Sequence, residues 1–421
     1  MNNMQYLTYI PEPKEKQIPC QNNKFESFLR DLSCAAKYSR KYIVVNLLEK
    51  ETCSPASQAD KNDPRPCAPN FLNYFNTNVV FDRNGAIIAR YRKFNSYDLA
   101  LNVTYRPELS TFDTDFGVKF GMFICFDMNF YSPAKELVDS GVTDFIFSSF
   151  WFSELPFLTA VQLQQSWAYA NNVNLLAAGA SNPSGGTTGS GIFSGKQGAL
   201  VSVMAETPER KLYIANVTKS SEFKTSERLT NEPNSNQIRK KSTGGIRLMR
   251  EYRMEAFTSE LLEPNSNSII QKQICHDAFC CQFNLKLQQK SPLPGTSTYK
   301  YHLAVFDGDR NYSGFGYTKY KFCSIYACTD TNLDSCGKVF DNKVEVSPEI
   351  VFESISIKGD FPKADKALIM PNSLDQNLMP LTTDRFEFNI KDDKQNEQVK
   401  FTLVDNADDL LTFGIYANYY N

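Results

Sequence analysis

Histidine is almost absent from this 421-residue chain: His276 and His302 are the only two, and both lie in its second half. That scarcity excludes a Cys–His protease pair or a histidine-rich metal centre from the first half. An excess of one charge is also lacking. With 45 Lys+Arg against 47 Asp+Glu the formal net charge is −2, which gives no electrostatic case for nucleic acid or an anionic membrane as partner. The closing stretch Leu410 to Tyr416 is too short and polar for a transmembrane helix or a lipid-anchor signal. Met1 to Pro11 shows no charged segment followed by an apolar one, so no export signal is visible. There is no internal repeat, and the glycine-rich stretch 185–191 is not followed by lysine, which weakens a phosphate-loop reading.

What the chain does have is cysteine, eleven in all. Ten lie in polar or turn-rich stretches where disulfides form: Cys20, Cys34, Cys53, Cys67, Cys275, Cys280, Cys281, Cys323, Cys328 and Cys336. Paired cysteines, with the sequons at Asn102, Asn216 and Asn311, argue for an oxidising, extracellular compartment. Such a body without an export signal leads to the expectation that sequence upstream of Met1 belongs to it.

The length accommodates more than one core. Tyr42–Leu48, a short and nearly continuous apolar run, predicts a strand covered on both faces. Thr77–Asp82 and Ala86–Lys93 around Asn84-Gly85 predict a hairpin. The apolar run 117–127 predicts a strand ending in a turn, and Ser132-Pro133 the start of a helix reaching about Val138. A strand over 143–150, a helix opening at Pro156 with Ala160, Leu163, Trp167 and Ala170 on one face, and a strand over 173–180 complete an α/β alternation. Residues 219–245 turn polar and offer no core. Beyond them, short alternating segments such as His302–Phe306, Phe315–Tyr320 and Val399–Val404 predict a β-rich second domain stapled by six cysteines. The expected division is 1–218, a linker 219–245, and 246–421.

The eleventh cysteine, Cys125, differs from the rest: it sits at the end of an apolar strand, just before a strand-to-helix turn. From the residues alone it is either a buried inert thiol or a nucleophile at the carboxyl end of an α/β sheet, with the Phe126 N–H beside it for an oxyanion. Period two along 87–93 puts Lys93 on one face with Ile87, Ala89 and Tyr91, and Arg90 and Arg92 on the other. Lys93 is either a strand-end lysine reaching for water or the cation that stabilises a thiolate. Cys275 with Cys280-Cys281 has no matching Cys-x2-Cys pair, so disulfides are expected there rather than a metal.

The segments Ile10-Pro11-Glu12-Pro13, Leu32-Ser33-Cys34-Ala35-Ala36-Lys37, Asn76–Asp82, Ala89-Arg90-Tyr91-Arg92-Lys93, Phe123-Ile124-Cys125-Phe126-Asp127, Thr188–Phe193 and Thr331–Gly337 resemble, in order and in both halves, the vanin and biotinidase branch of the nitrilase superfamily. The resemblance implies an α-β-β-α sandwich, here short of its N-terminal part, followed by a β-rich disulfide-stapled domain. It implies a Glu-Lys-Cys triad, with Cys125 as nucleophile and Lys93 as oxyanion stabiliser and proton donor. The family's glutamate comes from an early strand upstream of this sequence, so the general base is unassigned; Glu12, Glu15 and Glu26 do not match it. Asp98 stands near where relatives carry a supporting glutamate, and Trp151, with Phe152, is a candidate wall of the acyl pocket. Cys20–Cys34 and Cys53–Cys67 are expected as local bridges, with three more among the other six cysteines in an open pairing and Cys125 left outside them.

The implied function is a secreted amidohydrolase of pantetheinase type, cleaving a pantetheine- or biocytin-like amide without a cofactor; the oligomeric state stays open. The alternative is a catalytically silent secreted homologue that binds a ligand or partner. Without the glutamate, negligible turnover is expected of residues 1–421 alone.

Overall fold

The computed structural model describes residues 7–96, 101–220, 238–240, 245–264, 268–311 and 317–420. Two compact units divide the chain, Met1–Ser149 and Phe150–Asn421.

In the first unit, strand β1 (Leu7–Thr8), helix α1 (Ser27–Ser39) and strand β2 (Ile43–Thr52) come first. A short helix α2 (Pro55–Asp60) and the strands β3 (Leu72–Phe81) and β4 (Ile87–Arg92) follow, giving a four-stranded sheet ordered β1-β2-β3-β4. Leu29, Ser33 and Ala36 recur at helical spacing on α1, and the helix packs this face on Val79, Phe81 and Ile87. The hairpin between β3 and β4 turns at Asn84-Gly85 as expected. Gly85 has φ +80°, and a Cβ there would lie 2.4 Å from the Ser33 carbonyl oxygen, so both conformation and space demand glycine. The Ser33 hydroxyl donates to the Gly85 carbonyl (2.6 Å) and accepts from the Cys20 N–H (3.0 Å), tying the turn to α1 and to the loop before it.

Strands β5 (Thr111–Asp113), β6 (Lys119–Ile124) and β7 (Asp144–Ser149) complete the unit, β6 lying antiparallel to β5 and parallel to β7. The crossover from β6 to β7 contains α3 (Glu136–Asp139). Ser132 keeps an extended backbone before Pro133 and donates its hydroxyl to Glu136, while Gly141 at φ +93° ends the helical run.

The second unit begins with β8 (Glu154–Leu155), α4 (Ala160–Asn171), β9 (Asn174–Gly179), β10 (Ser190–Ser194) and β11 (Ala199–Val203). Next come β12 (Ile238–Lys240), parallel to β11, and β13 (Met249–Arg250), parallel to β8. The helix expected from Pro156 starts four residues later. The Pro156 carbonyl is taken by side chains, Gln162 Nε2 (2.9 Å) and Thr412 Oγ1 (2.8 Å), and Gln162 Oε1 instead accepts from Thr159 N and Oγ1 to set the helix start. Nor is α4 buried on one face only: Ala160 to Ala168 are all buried, Gln162, Gln164 and Gln165 included.

The reason lies in the C-terminal strands. The first five are β14 (Thr258–Leu261), β15 (Ser268–His276), β16 (Phe279–Gln289), β17 (Lys300–Asn311) and β18 (Tyr317–Cys328). The others are β19 (Ile350–Pro362), β20 (Ala367–Asp375), β21 (Phe386–Asp392), β22 (Asn396–Leu403) and β23 (Leu410–Tyr419). They form two sheets, β14-β17-β18-β23-β20 and β15-β16-β19-β22-β21. Strand β20 packs on α4, where Gln162 Nε2 donates to Asn372 Oδ1 at 2.8 Å, Asn372 Nδ2 to the Phe157 carbonyl, and Gln165 Nε2 to the Leu381 carbonyl. Strand β16, with one face to solvent, alternates buried and exposed residues, whereas all of β23 is buried. Of the expected linker, only 219–220, 238–240 and 245 are described.

Five disulfides hold these elements. Cys20–Cys34 and Cys53–Cys67 are the two local bridges expected. Cys275–Cys280 crosses the β15–β16 hairpin at paired positions, Cys281–Cys323 joins the two C-terminal sheets, and Cys328–Cys336 closes the loop after β18. Cys125 stands outside them. Thiol titration of denatured, unreduced protein should return one; three or more would break this scheme.

Arg310 is buried between Glu154 (2.6 Å) and Glu251 (2.7 Å). Burial pushes the Glu251 carboxyl up to about 7, with Arg310 opposing and Glu154 reinforcing the rise. A carboxyl that holds its proton better folded than unfolded contributes stability at low pH and loses it as pH rises. Between the ordinary value of 4.5 and about 7, therefore, Glu251 should lower stability with increasing pH. Glu251→Gln should flatten that slope, read from urea midpoints at pH 5 and pH 7.5.

Candidate active site

Along β4, Ile87, Ala89 and Tyr91 are buried as period two requires, and Lys93 continues the same face at 5 % exposure. At that burial its head group is not in water, so the lysine does not snorkel. The Lys93 N–H still pairs with the Asn76 carbonyl of β3 (2.8 Å), which fixes its backbone. Its Nζ donates to the Ile124 carbonyl at 2.5 Å and lies 3.5 Å from Asp127 Oδ1. Ile124 ends β6, and its carbonyl belongs to the peptide bond whose nitrogen is that of Cys125.

Cys125 is half-buried and opens a 3-10 turn (Cys125–Asn129) with φ +51°. For a residue with a Cβ this left-handed conformation costs about 1–2 kcal/mol, so neighbouring contacts must hold it. Asp127 does so. This carboxylate is fully buried and meets five donors: Tyr91 OH (2.8 Å) and Ile124 N (2.9 Å) on Oδ2, Asn95 N and Nδ2 (both 2.9 Å) with Lys93 Nζ (3.5 Å) on Oδ1. The Asn95 amide also donates to the Ser132 carbonyl at 2.8 Å, and Tyr91 OH accepts from Phe94 N at 3.1 Å. The end of β4, the cysteine turn and the start of the next helical run are thereby joined at one carboxylate.

Electrostatics separate the two faces of β4. On the site face, burial and then Asp127 push the Tyr91 hydroxyl well above the usual tyrosine range, which keeps it a donor. On the other, the Arg92 guanidinium clasps Glu49 (Nε to Oε2 2.9 Å, Nη2 to Oε1 2.5 Å) and reaches Glu51 at 2.8 Å. Glu49 also accepts from Thr77 and Arg90. These charges serve the sheet. Glu108 accepts from the Arg92 N–H at 3.5 Å, and burial raises its carboxyl against the pull of Arg92.

Two family models match, carbon–nitrogen hydrolase over residues 9–213 and the vanin C-terminal domain over 246–421. The chain is 41% identical over 444 residues to Vanin-like protein 1 of Drosophila melanogaster, spanning 100% of this chain and 78% of that protein. To Vanin-like protein 2 of the same fly it is 42% identical over 441 residues, spanning 100% and 82%. This chain belongs to the vanin family of carbon–nitrogen hydrolases. The human protein named Pantetheinase is 32% identical over 396 residues, spanning 92% of this vanin-family chain and 72% of its own length. A Takifugu rubripes protein named Biotinidase is 30% identical over 365 residues, spanning 80% and 68%. The fold class is thus the nitrilase-type α/β sandwich followed by a β-rich, disulfide-stapled domain, as the resemblance implied.

The structure of this vanin-family chain brings Lys93 to the Cys125 turn. Asp98 lies outside the described residues. Trp151 belongs to the second unit, where it is buried and its Nε1 donates to the Leu158 carbonyl at 2.9 Å. Asn102, Asn216 and Asn311 are all exposed. Glu12 pairs with Arg90 at 2.7 Å. Tyr91, Asn95 and Asp127 escaped the sequence reading; an acidic residue two positions after Cys125, closing an apolar run, was the available signal. The backbone offers a direct test. Glycine enters the left-handed region freely, so Cys125→Gly should unfold at higher denaturant than Cys125→Ala, by about 1 kcal/mol.

Proposed function

We propose that this vanin-family protein is a secreted amidohydrolase that cleaves a linear amide through a thioester on Cys125. The observation that supports it best is the buried Lys93 head group, seated on the carbonyl of the peptide bond that leads into a backbone-strained cysteine. In this reading the Cys125 thiolate attacks the amide carbon, and the oxyanion meets Lys93 and the Phe126 N–H. The amine leaves with a proton as the thioester forms. Water then adds to the thioester carbon, releasing the acid and regenerating the thiol.

The substrate class is a pantetheine- or biocytin-like amide, by analogy with the relatives named Pantetheinase and Biotinidase. Five disulfides favour an oxidising compartment, with glycans on the exposed Asn102, Asn216 and Asn311. The hydrolase domain would be 1–218 and the β-rich domain 246–421. Asp98 is retained as a supporting acid.

A second reading, a catalytically silent binder of a similar ligand, is favoured by one observation. Asp127, the buried carboxylate of the cysteine turn, already meets five donors and is not open to act as base. The base is therefore unassigned. Incubation with a panel of pantetheine- and biocytin-type amides, followed by mass spectrometry of products and protein, tests both readings. The hydrolase reading expects amine release and an acyl adduct on Cys125, abolished in Cys125→Ala and reduced about 10²–10³-fold in Lys93→Met. Saturable binding of such an amide without release would support the silent binder.

A further inference from the structure

We propose that Asp127 is a positioning residue of this site, acting through Lys93 by holding its head group on the cysteine turn. This rests on the reading of Cys125 as nucleophile. Among the described residues, five donors and no acceptor face the two oxygens of Asp127, in a position shut off from water. Only a carboxylate, which accepts and does not donate, satisfies such a set. An asparagine would keep one oxygen for Tyr91 OH and Ile124 N, but its amide would then confront Asn95 N, Asn95 Nδ2 and Lys93 Nζ with further donors. The side chain is therefore chosen by charge as well as by shape.

What Asp127 does for Lys93 is electrostatic. At 3.5 Å the contact is beyond ordinary hydrogen-bond length but within ion-pair reach, while the Ile124 carbonyl at 2.5 Å sets the orientation of the head group. A lysine head group has three N–H bonds. One is spent on Ile124 and one points to the Asp127 side, which leaves one for charge developing at the sulfur or at a bound carbonyl. The same carboxylate accepts from Ile124 N, so one group determines both where the cation sits and how the chain enters the φ +51° residue. Among the described residues, Tyr91, held as a donor, is the other ionisable group that contacts Asp127, and Glu108 lies beside the backbone of Arg92.

The test is the rate at which iodoacetamide alkylates Cys125 in folded, unreduced protein at pH 7, read by mass spectrometry, with kcat and KM where turnover is found. Lys93→Met and Asp127→Asn should each slow alkylation about tenfold, by removing the cation or its seat. The double variant should be no slower than Lys93→Met alone. If Asp127→Asn does not fold, Asn95→Ala takes its place, because it removes one of the groups holding the carboxylate. It should slow alkylation about threefold with Lys93 present and not at all in Lys93→Met. Wild-type alkylation in Asp127→Asn overturns the proposal, as do losses that multiply in the double variant or an equal Asn95→Ala loss in both backgrounds. In kinetics, Asp127→Asn should lower kcat and leave KM unchanged; a raised KM at constant kcat also overturns it. Alkylation needs neither substrate nor a general base. Amides left intact by the wild type while Asp127 still controls alkylation through Lys93 would reject the hydrolase reading and support this one.

Discussion

Asp127 is the group on which the geometry of the Cys125 turn and of Lys93 depends. Burying a carboxylate without partners is prohibitive, so its place in an apolar interior obliges the chain to bring donors to it. It collects them from the end of β4 with Asn95, more than thirty residues earlier in the chain, and from the last residue of β6, three residues before it. Breaking a buried pair by removing one partner typically costs about 3–5 kcal/mol, more than the about 1–2 kcal/mol of strain at a left-handed cysteine. The carboxylate therefore prevails over the strain. The positive φ of Cys125 persists because relaxing it would pull Ile124 N away from the carboxylate and disturb the seat of Lys93.

The second unit solves a related problem by other means. Helix α4 has too many glutamines for a core helix, yet from Ala160 to Ala168 nothing is exposed. The amides of Gln162 and Gln165 find their partners on β20 and the loop after it, so the polar side of the helix becomes the adhesive between helix and sheet. On the far side of that sheet, the Cys281–Cys323 bridge fixes β18 to β16. Strands β18, β20 and β23 are covered on both faces as a result, and β23 shows no polar alternation along its ten residues.

Much of this was legible in the residues. Asn84-Gly85 marks a turn because glycine alone tolerates both the φ and the approach of Ser33. The two-residue period of β4 placed Lys93 with Tyr91, and the apolar run into Cys125 placed the sulfur at a strand end. What was not legible depends on partners remote in sequence. The start of α4 is displaced from Pro156 by donors that include Thr412, far along the chain. The burial of its glutamines depends on Asn372 and Leu381. Arg92 reads as a solvent-facing strand residue until Glu49 and Thr77, two strands away and one, are seen to close around it.

The role of Asp127 was hidden for the same reason, and the difference between the two faces of β4 shows why it matters. Arg92 and Lys93 are adjacent, both cationic and both buried, yet their surroundings are opposite in kind. Glu49 meets one edge of the guanidinium with both of its oxygens, Glu51 adds a third contact, and Thr77 completes Glu49, so the arginine is held between carboxylates and is structural. Among the described residues, Lys93 has one carbonyl and one carboxylate at longer range, a smaller number of partners than its three N–H bonds can take. A buried cation with capacity to spare beside a strained cysteine is a poor device for stability, since a well-packed apolar side chain would do as well. It is a good device for meeting negative charge that appears only during a reaction. In the proposed reading, the alternation of one strand thus separates a cation that holds the sheet from a cation held for chemistry.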